Sequence, residues 1–167
     1  TTTLVQSAAL QGTTLHAESL MELRNLYTSE VVDRVSGRNV EVTHDYLQKP
    51  GAIPLPATFS MELGRRINLH SSGMMVRLYS NYPFPWRKDG GAQDDFERQA
   101  LAALQANPQQ PYYRFEEFQG RASLRYATAD VMRAECVGCH NARPDSPKHD
   151  WKVGDVRGVL EIVRPLG

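Results

Sequence analysis

The stretch YYRFEEFQGRASLRYA, residues 112–127, decides the fold of this chain. Two aromatic-rich segments flank the dipeptide Gln119-Gly120, and this spacing is typical of a β-hairpin with a tight turn. The pattern predicts antiparallel strands over Tyr112–Phe118 and Arg121–Ala127. The centre of the molecule is therefore expected to be antiparallel sheet.

The chain before this hairpin begins with a helical pattern. Residues 3–35 contain no proline, and apolar residues recur there at three- and four-residue spacing, which predicts one long helix that ends before Gly37. A helix of this length needs a partner for its apolar stripe. The partner is expected to be the rest of the domain or a second copy, so a homodimer through this helix is one hypothesis.

Further elements follow on both sides of the hairpin. Simple alternation predicts a strand over Arg38–Tyr46, with four side chains on one face: Val40, Val42, His44 and Tyr46. The prolines of residues 49–56 predict an extended loop, and a helix is expected over Ala57–Asn68. The remaining predictions are a strand over Met74–Tyr82, a helix that Asp94 and Glu97 begin, a helical turn before Cys136 and a last strand over Gly158–Arg164.

This order of elements is α+β. It fits a PAS-like antiparallel sheet with a long N-terminal helix and flanking helices. At 167 residues the chain is expected to form a single domain, with the helix over residues 1–35 and the core over residues 36–167.

The charge and composition narrow the functional classes. Lys plus Arg and Asp plus Glu both number 19, so no overall field favours a nucleic acid or an anionic membrane. No apolar run is long enough to cross a bilayer. The chain does not begin with Met, so it is expected to be a mature or excised piece whose contact with a membrane went through removed flanking segments.

The motif Cys136-Val137-Gly138-Cys139-His140 carries the chemistry. It matches C-x-x-C-H, the attachment signature of c-type haem. Two thiols at this spacing reach the two vinyl groups on one porphyrin edge, and the adjacent imidazole is an axial donor to the iron. The sequence therefore predicts one haem c, bound through Cys136 and Cys139 with His140 on the metal.

Two other interpretations of the cysteine pair stay open. A thioredoxin-like redox site would place the pair at a helix start near a βαβ unit, which this chain lacks. A zinc site would need two more ligands, and the nearby supply is His140 and His149.

The second axial ligand decides what the iron can do, because a bound protein ligand favours electron transfer and an open site admits gases. His44 is the first choice, since alternation aims it toward the core with Val40 and Val42. Met74 is the second choice, and His70, Met75 or no ligand are further alternatives. The other histidines and methionines of the set are His16, His149, Met21, Met61 and Met132.

Arginines are expected to pair with the haem propionates, since a guanidinium binds a carboxylate in a bidentate manner. Arg77 and Arg125 are the predicted partners. The same chemistry is open to three others: Arg98, Arg114 and Arg143.

Four further stretches, together with the motif, resemble the c-type haem PAS-like sensor family over nearly the whole chain. They are KPGAIPLPATF at residues 49–59, VRLYS at residues 76–80, LRYA at residues 124–127 and DWKVGDVRGVLE at residues 150–161. These domains occur alone in cyanobacteria and related bacteria, or as the periplasmic part of membrane-bound kinases, cyclases and chemoreceptors. The resemblance implies a PAS-like sheet with one covalent haem at Cys136, Cys139 and His140. One member of the family is said to use a cysteine as its second axial ligand, and this chain has no further cysteine.

The leading functional hypothesis is an extracytoplasmic sensor domain that responds to redox state or to a diatomic gas. The alternative is a soluble monohaem electron-transfer cytochrome. No nucleophile–base pair, phosphate loop or paired-carboxylate motif is visible, so no enzymatic activity is expected. A periplasmic or otherwise extracytoplasmic location follows from the motif, since haem c is attached outside the cytoplasm.

Overall fold

A computed structural model describes residues 3–70 and 73–167 of the chain. Thr1 and Thr2, which the predicted helix and domain include, lie outside the described residues. The helices are α1 (Leu4–Tyr27), α2 (Asp33–Val35), α3 (Pro56–His70), α4 (Asp95–Ala106) and α5 (Ala134–Ala142). The strands are β1 (Val42–Thr43), β2 (Ile53–Pro54), β3 (Met75–Tyr79), β4 (Tyr112–Phe118), β5 (Arg121–Val131) and β6 (Val156–Pro165).

The four longer strands form one antiparallel sheet in the order β3-β6-β5-β4. The predicted hairpin is confirmed, because β4 and β5 pair around Gln119 and Gly120, whose φ angles are 50° and 80°. Two left-handed residues in a row give the turn a twist that matches the flanking strands. The predicted α+β class with a PAS-like sheet and a long N-terminal helix is therefore confirmed.

Helices cover both faces of this sheet. The α1 and α3 face buries Leu20 of α1 against Leu124 and Ile162 of the sheet. The α4 face buries Phe96 and Leu104. Since strand residues alternate between faces, this division also fixes which polar side chains lie on which side.

The predicted strand over Arg38–Tyr46 is wrong for most of its length. Gly37 and Asn39 have left-handed conformations, which interrupt the extended backbone at the start of this segment. Only Val42 and Thr43 pair, in parallel with β2. Thr43 donates a hydrogen bond to the Asp45 carboxylate 2.5 Å away, and this local contact turns the backbone into a short 3-10 segment. The strict alternation expected for His44 is lost there.

The other predicted elements need smaller corrections. The N-terminal helix runs on from α1 through a π-helical turn, Thr28–Val32, into α2. The proline loop contributes β2, the third helix extends over Pro56–His70, and the strand expected over Met74–Tyr82 covers Met75–Tyr79. Among residues 3–70 and 73–167, none of the helices combines the length and the apolar character that crossing a bilayer requires.

Candidate cofactor site

A cavity of about 460 Å³ opens beside one end of the sheet. Its walls come from the C-terminal part of α1, from α2, from the start of α3, from the segment 84–87, from the end of β5 and from α5. This volume lies in the range of small-molecule and cofactor sites. The elements that meet here are far apart in the chain, so the cavity is a product of the tertiary fold.

The C-x-x-C-H motif lies on α5 and lines this cavity. Residues three and four apart share a helix face, which places Cys136, Cys139 and His140 on the same side; all three contribute to the wall. Both thiols are free, with Cys136 half-buried and Cys139 exposed. The sequence predicts a helical turn before Cys136, and the structure has a nine-residue helix that contains the whole motif.

Contacts at the end of α5 fix its orientation. The Asn141 side chain donates to the backbone oxygen of Trp151 at 2.9 Å and accepts from its backbone N–H at 2.8 Å. The Phe84 ring lies 5.4 Å from the His140 ring, and Phe84 in turn stacks on Trp86 at 4.5 Å. The three ligand-type side chains therefore face a partly aromatic wall.

A chain of polar contacts leads from His140 to the N-terminal helix. Arg157 donates from Nε to His140 Nε2 at 3.2 Å and from Nη1 to Asp130 at 2.9 Å. Arg24 of α1 binds the same buried carboxylate, with Nη1 2.6 Å from Oδ2. The imidazole is thus connected to α1 through two guanidinium groups and one carboxylate.

Burial and neighbouring charges set the pKa values of the groups in this series of polar contacts. Burial, and then the charge of Arg157, lower the pKa of His140 to about 3, so the imidazole is neutral near pH 7. A neutral imidazole is the form that donates to a metal. Burial alone would raise the pKa of Asp130, yet Arg24 and Arg157 hold it well below its usual range.

None of the four predicted second axial ligands lines the cavity. His44 stacks on Trp86 with 4.1 Å between the ring centroids and 7° between the ring planes, so it lies behind a side chain of the wall. Its Nδ1 atom is buried without a hydrogen-bond partner among the described residues. Met74 packs against the α1-side core, Met75 begins β3 and His70 ends α3. Met61, a member of the wider set, does line the cavity.

The two predicted propionate partners also lie elsewhere. Arg77 pairs with Glu97 at 2.8 Å, and Arg125 pairs with Glu161 at 2.9 Å. Alternation along β3 and β5 points both side chains toward α4, on the sheet face opposite α1. Arg125 is further held over the Phe96 ring at 4.4 Å. The structure does not bring either guanidinium to the cavity.

The arginines that do line the cavity are Arg24, Arg87, Arg143 and Arg157, of which only Arg143 belonged to the predicted set. A sequence signal exists for Arg24. It continues the buried helix stripe of Ala17 and Leu20 at helical spacing, and a charge in an apolar stripe predicts a buried ion pair. Arg87 and Arg157 lie on irregular or bulged segments, where no periodicity marks them.

The side chains present fit a covalently bound haem. Two thiols and an imidazole share one wall, aromatic rings border them, and guanidinium groups are available for the carboxylates. The zinc interpretation has less support, since no three His, Cys, Asp or Glu side chains gather around one point within residues 3–70 and 73–167.

Together, the fold and the site define an α+β domain of PAS-like fold with a cavity that a C-x-x-C-H helix lines. The family model described as Tll0287-like, Tll0287, matches residues 2–165, and the chain belongs to this family. The crystal structure of the cyanobacterial haem protein Tll0287 has a similar fold, with a TM-score of 0.65 at 20% identity. The match covers 93% of this chain and 94% of that one. No curated protein matches this sequence.

Proposed function

We propose that this chain is a haem-binding sensor domain with one haem c attached through Cys136 and Cys139. The observation that carries the proposal is the convergence of both thiols and the His140 imidazole on one wall of a cofactor-sized cavity. A C-x-x-C-H motif that had arisen by chance would not be expected to line a cavity of this size. The family membership and the haem protein of similar fold support the same function.

The residues of the wall have distinct roles in this proposal. Each thiol would add across one vinyl group, so that sulfur and hydrogen would both end on the former double bond and no oxidant would be consumed. His140 would hold the iron through its imidazole, and the iron would supply a redox-active centre when bound. Phe84 and Trp86 give the wall a stacked aromatic surface against which the macrocycle would pack.

We place the domain outside the cytoplasm, where haem c is attached, and assign it a response to redox state or to a diatomic gas. Arg157 and Arg24 share the Asp130 carboxylate, and these contacts support a signalling role because they join the wall that would hold the haem to α1. A change at the iron would then alter the packing of the N-terminal helix.

Hydrogen exchange on the haem-loaded protein tests the sensor role. We expect the oxidised and reduced forms to differ in amide protection near Arg24 in α1, while the β4–β5 hairpin serves as the internal reference. Carbon monoxide or nitric oxide added to the reduced form should change the absorption spectrum if a gas is the signal. Identical protection in both redox states, with no gas binding, would instead favour the electron-transfer cytochrome.

For the second axial ligand we expect Met61 rather than His44. Met61 already lines the cavity, and its thioether is a soft donor to iron. His44 would first have to displace Trp86 from its 4.1 Å stack. Met61→Ala is therefore expected to change a six-coordinate spectrum to a five-coordinate one and to lower the reduction potential. His44→Ala is the matched control, and a larger spectral change there would reverse this assignment.

A further inference from the structure

The inner wall of the cavity carries more positive than negative charge. Arg24 and Arg157 share the single carboxylate of Asp130. Arg87 has no acidic partner among residues 3–70 and 73–167, and the hydrogen bond it makes there goes to the backbone oxygen of Leu78 at 2.6 Å. Three guanidinium groups around one carboxylate give this part of the wall a net excess of two positive charges, and Arg87 is the group without an acidic partner among the described residues.

The other charged groups of the cavity do not remove this excess. Arg143 is paired with Asp145 at 2.8 Å. Glu135 is paired with Arg133 at 2.9 Å. Asp33 lies on α2 with an exposed side chain, where water solvates it. The two uncompensated charges therefore belong to the interior of the site.

The surroundings of Arg87 show that this charge is costly to hold there. Burial, and then the positive charges of Arg157 and Arg77, lower its pKa to about 10, so it remains protonated near pH 7. Arg87 is half-buried, and a partly desolvated cation without a counter-charge is unfavourable, so such groups are usually paired in the functional form of a protein.

Arg157 also lacks a partner for one of its donors once a metal is bound. Its Nε atom donates to His140 Nε2 at 3.2 Å. A metal on that nitrogen takes the lone pair that accepts this hydrogen bond, so the Arg157 donor then needs another acceptor.

We propose that Arg87 and Arg157 bind the two propionate groups of the haem. This inference rests on the proposed function and names the part of the cofactor that this wall recognises. Two carboxylates match the excess of two positive charges, and guanidinium pairs with carboxylate in a planar, bidentate geometry. Such a pairing would orient the macrocycle before the thiols react, and it would keep the guanidinium charges close to the cofactor.

The reduction potential of the haem-loaded protein tests this assignment. A nearby positive charge favours the ferrous state, so Arg87→Gln should shift the ferrous-to-ferric ratio at a fixed potential about tenfold toward ferric, or about 59 mV for one electron. Arg87→Lys keeps the charge and should restore most of the potential. Arg66→Gln removes an exposed guanidinium paired with Glu62 on α3 and is the control, with no shift expected.

The outcomes separate this inference from the proposed function. A coloured, covalently loaded protein in which Arg87→Gln shifts the potential no more than Arg66→Gln overturns the propionate assignment alone. A wild-type protein without covalent haem overturns both. If Arg87→Gln does not fold, Arg157→Gln leaves the Arg24–Asp130 pair in place, and the same shift or its absence decides the question.

Discussion

Replacing Cys136 and Cys139 together with alanine is expected to abolish covalent haem completely. The sequence contains two cysteines, so no other thiol can take over the attachment. Both line the cavity from the same face of α5, and alanine preserves the helix because its helix propensity is high. The check is a haem stain after denaturing electrophoresis, which detects pigment only where it is bound covalently.

Two single variants and a control at a neighbouring residue test the contribution of each thiol. Cys136→Ala and Cys139→Ala each leave one thiol in the wall, so each should retain pigment with one unreacted vinyl group and a shifted spectrum. Val137→Ala changes the same helix without touching a thiol, and it should stain like the wild type. Pigment that remains on the double variant, or that acidified solvent extracts from the wild type, would contradict the attachment.

The sheet was predictable because its signals are local. Gln119-Gly120 between alternating segments indicates the turn, and both residues have the left-handed φ angles of a two-residue hairpin loop, in which glycine is the favoured second residue. The strand over Arg38–Tyr46 was not predictable from alternation, because the Thr43–Asp45 contact competes with pairing. Short polar side chains can form hydrogen bonds to each other or to the nearby backbone, and such contacts bend the chain. The periodicity of apolar residues does not detect them.

The residues of the candidate site that belong to a sequence motif were predictable. The residues that tertiary structure brings to the cavity were not. Cys136, Cys139 and His140 follow from spacing within one helix. Arg87 reaches the cavity from an irregular segment, and Arg125, a predicted propionate partner, points to the other face of the sheet. Which face an arginine takes depends on strand register and helix packing, so residue type alone does not select the right guanidinium groups.

Asp130→Ala is expected to destabilise the protein strongly. The carboxylate is 1% exposed and is shared by Arg24 and Arg157, so its removal leaves Arg24 in the interior without its counter-charge and takes one partner from Arg157. Breaking a buried pair in this way costs about 3–5 kcal/mol. The midpoint of urea unfolding, followed by circular dichroism on the loaded protein, measures the loss. Glu62→Ala removes a carboxylate that binds Arg65 and Arg66 on the surface of α3, and it should move the midpoint little.

The stability difference between the wild type and Asp130→Ala should depend on pH, and this dependence identifies the charge of Asp130 as its cause. Because the pKa of Asp130 is held below its usual range in the folded protein, its ionised form stabilises the fold above the unfolded value, about pH 3.9. The contribution disappears as the pH falls below that value toward the folded pKa. The wild type and Asp130→Ala should therefore differ fully at pH 7 and converge in acid. A difference that stays constant down to pH 2 would attribute the loss to the missing volume of the side chain, and Asp130→Asn, which keeps that volume, would then unfold like the wild type.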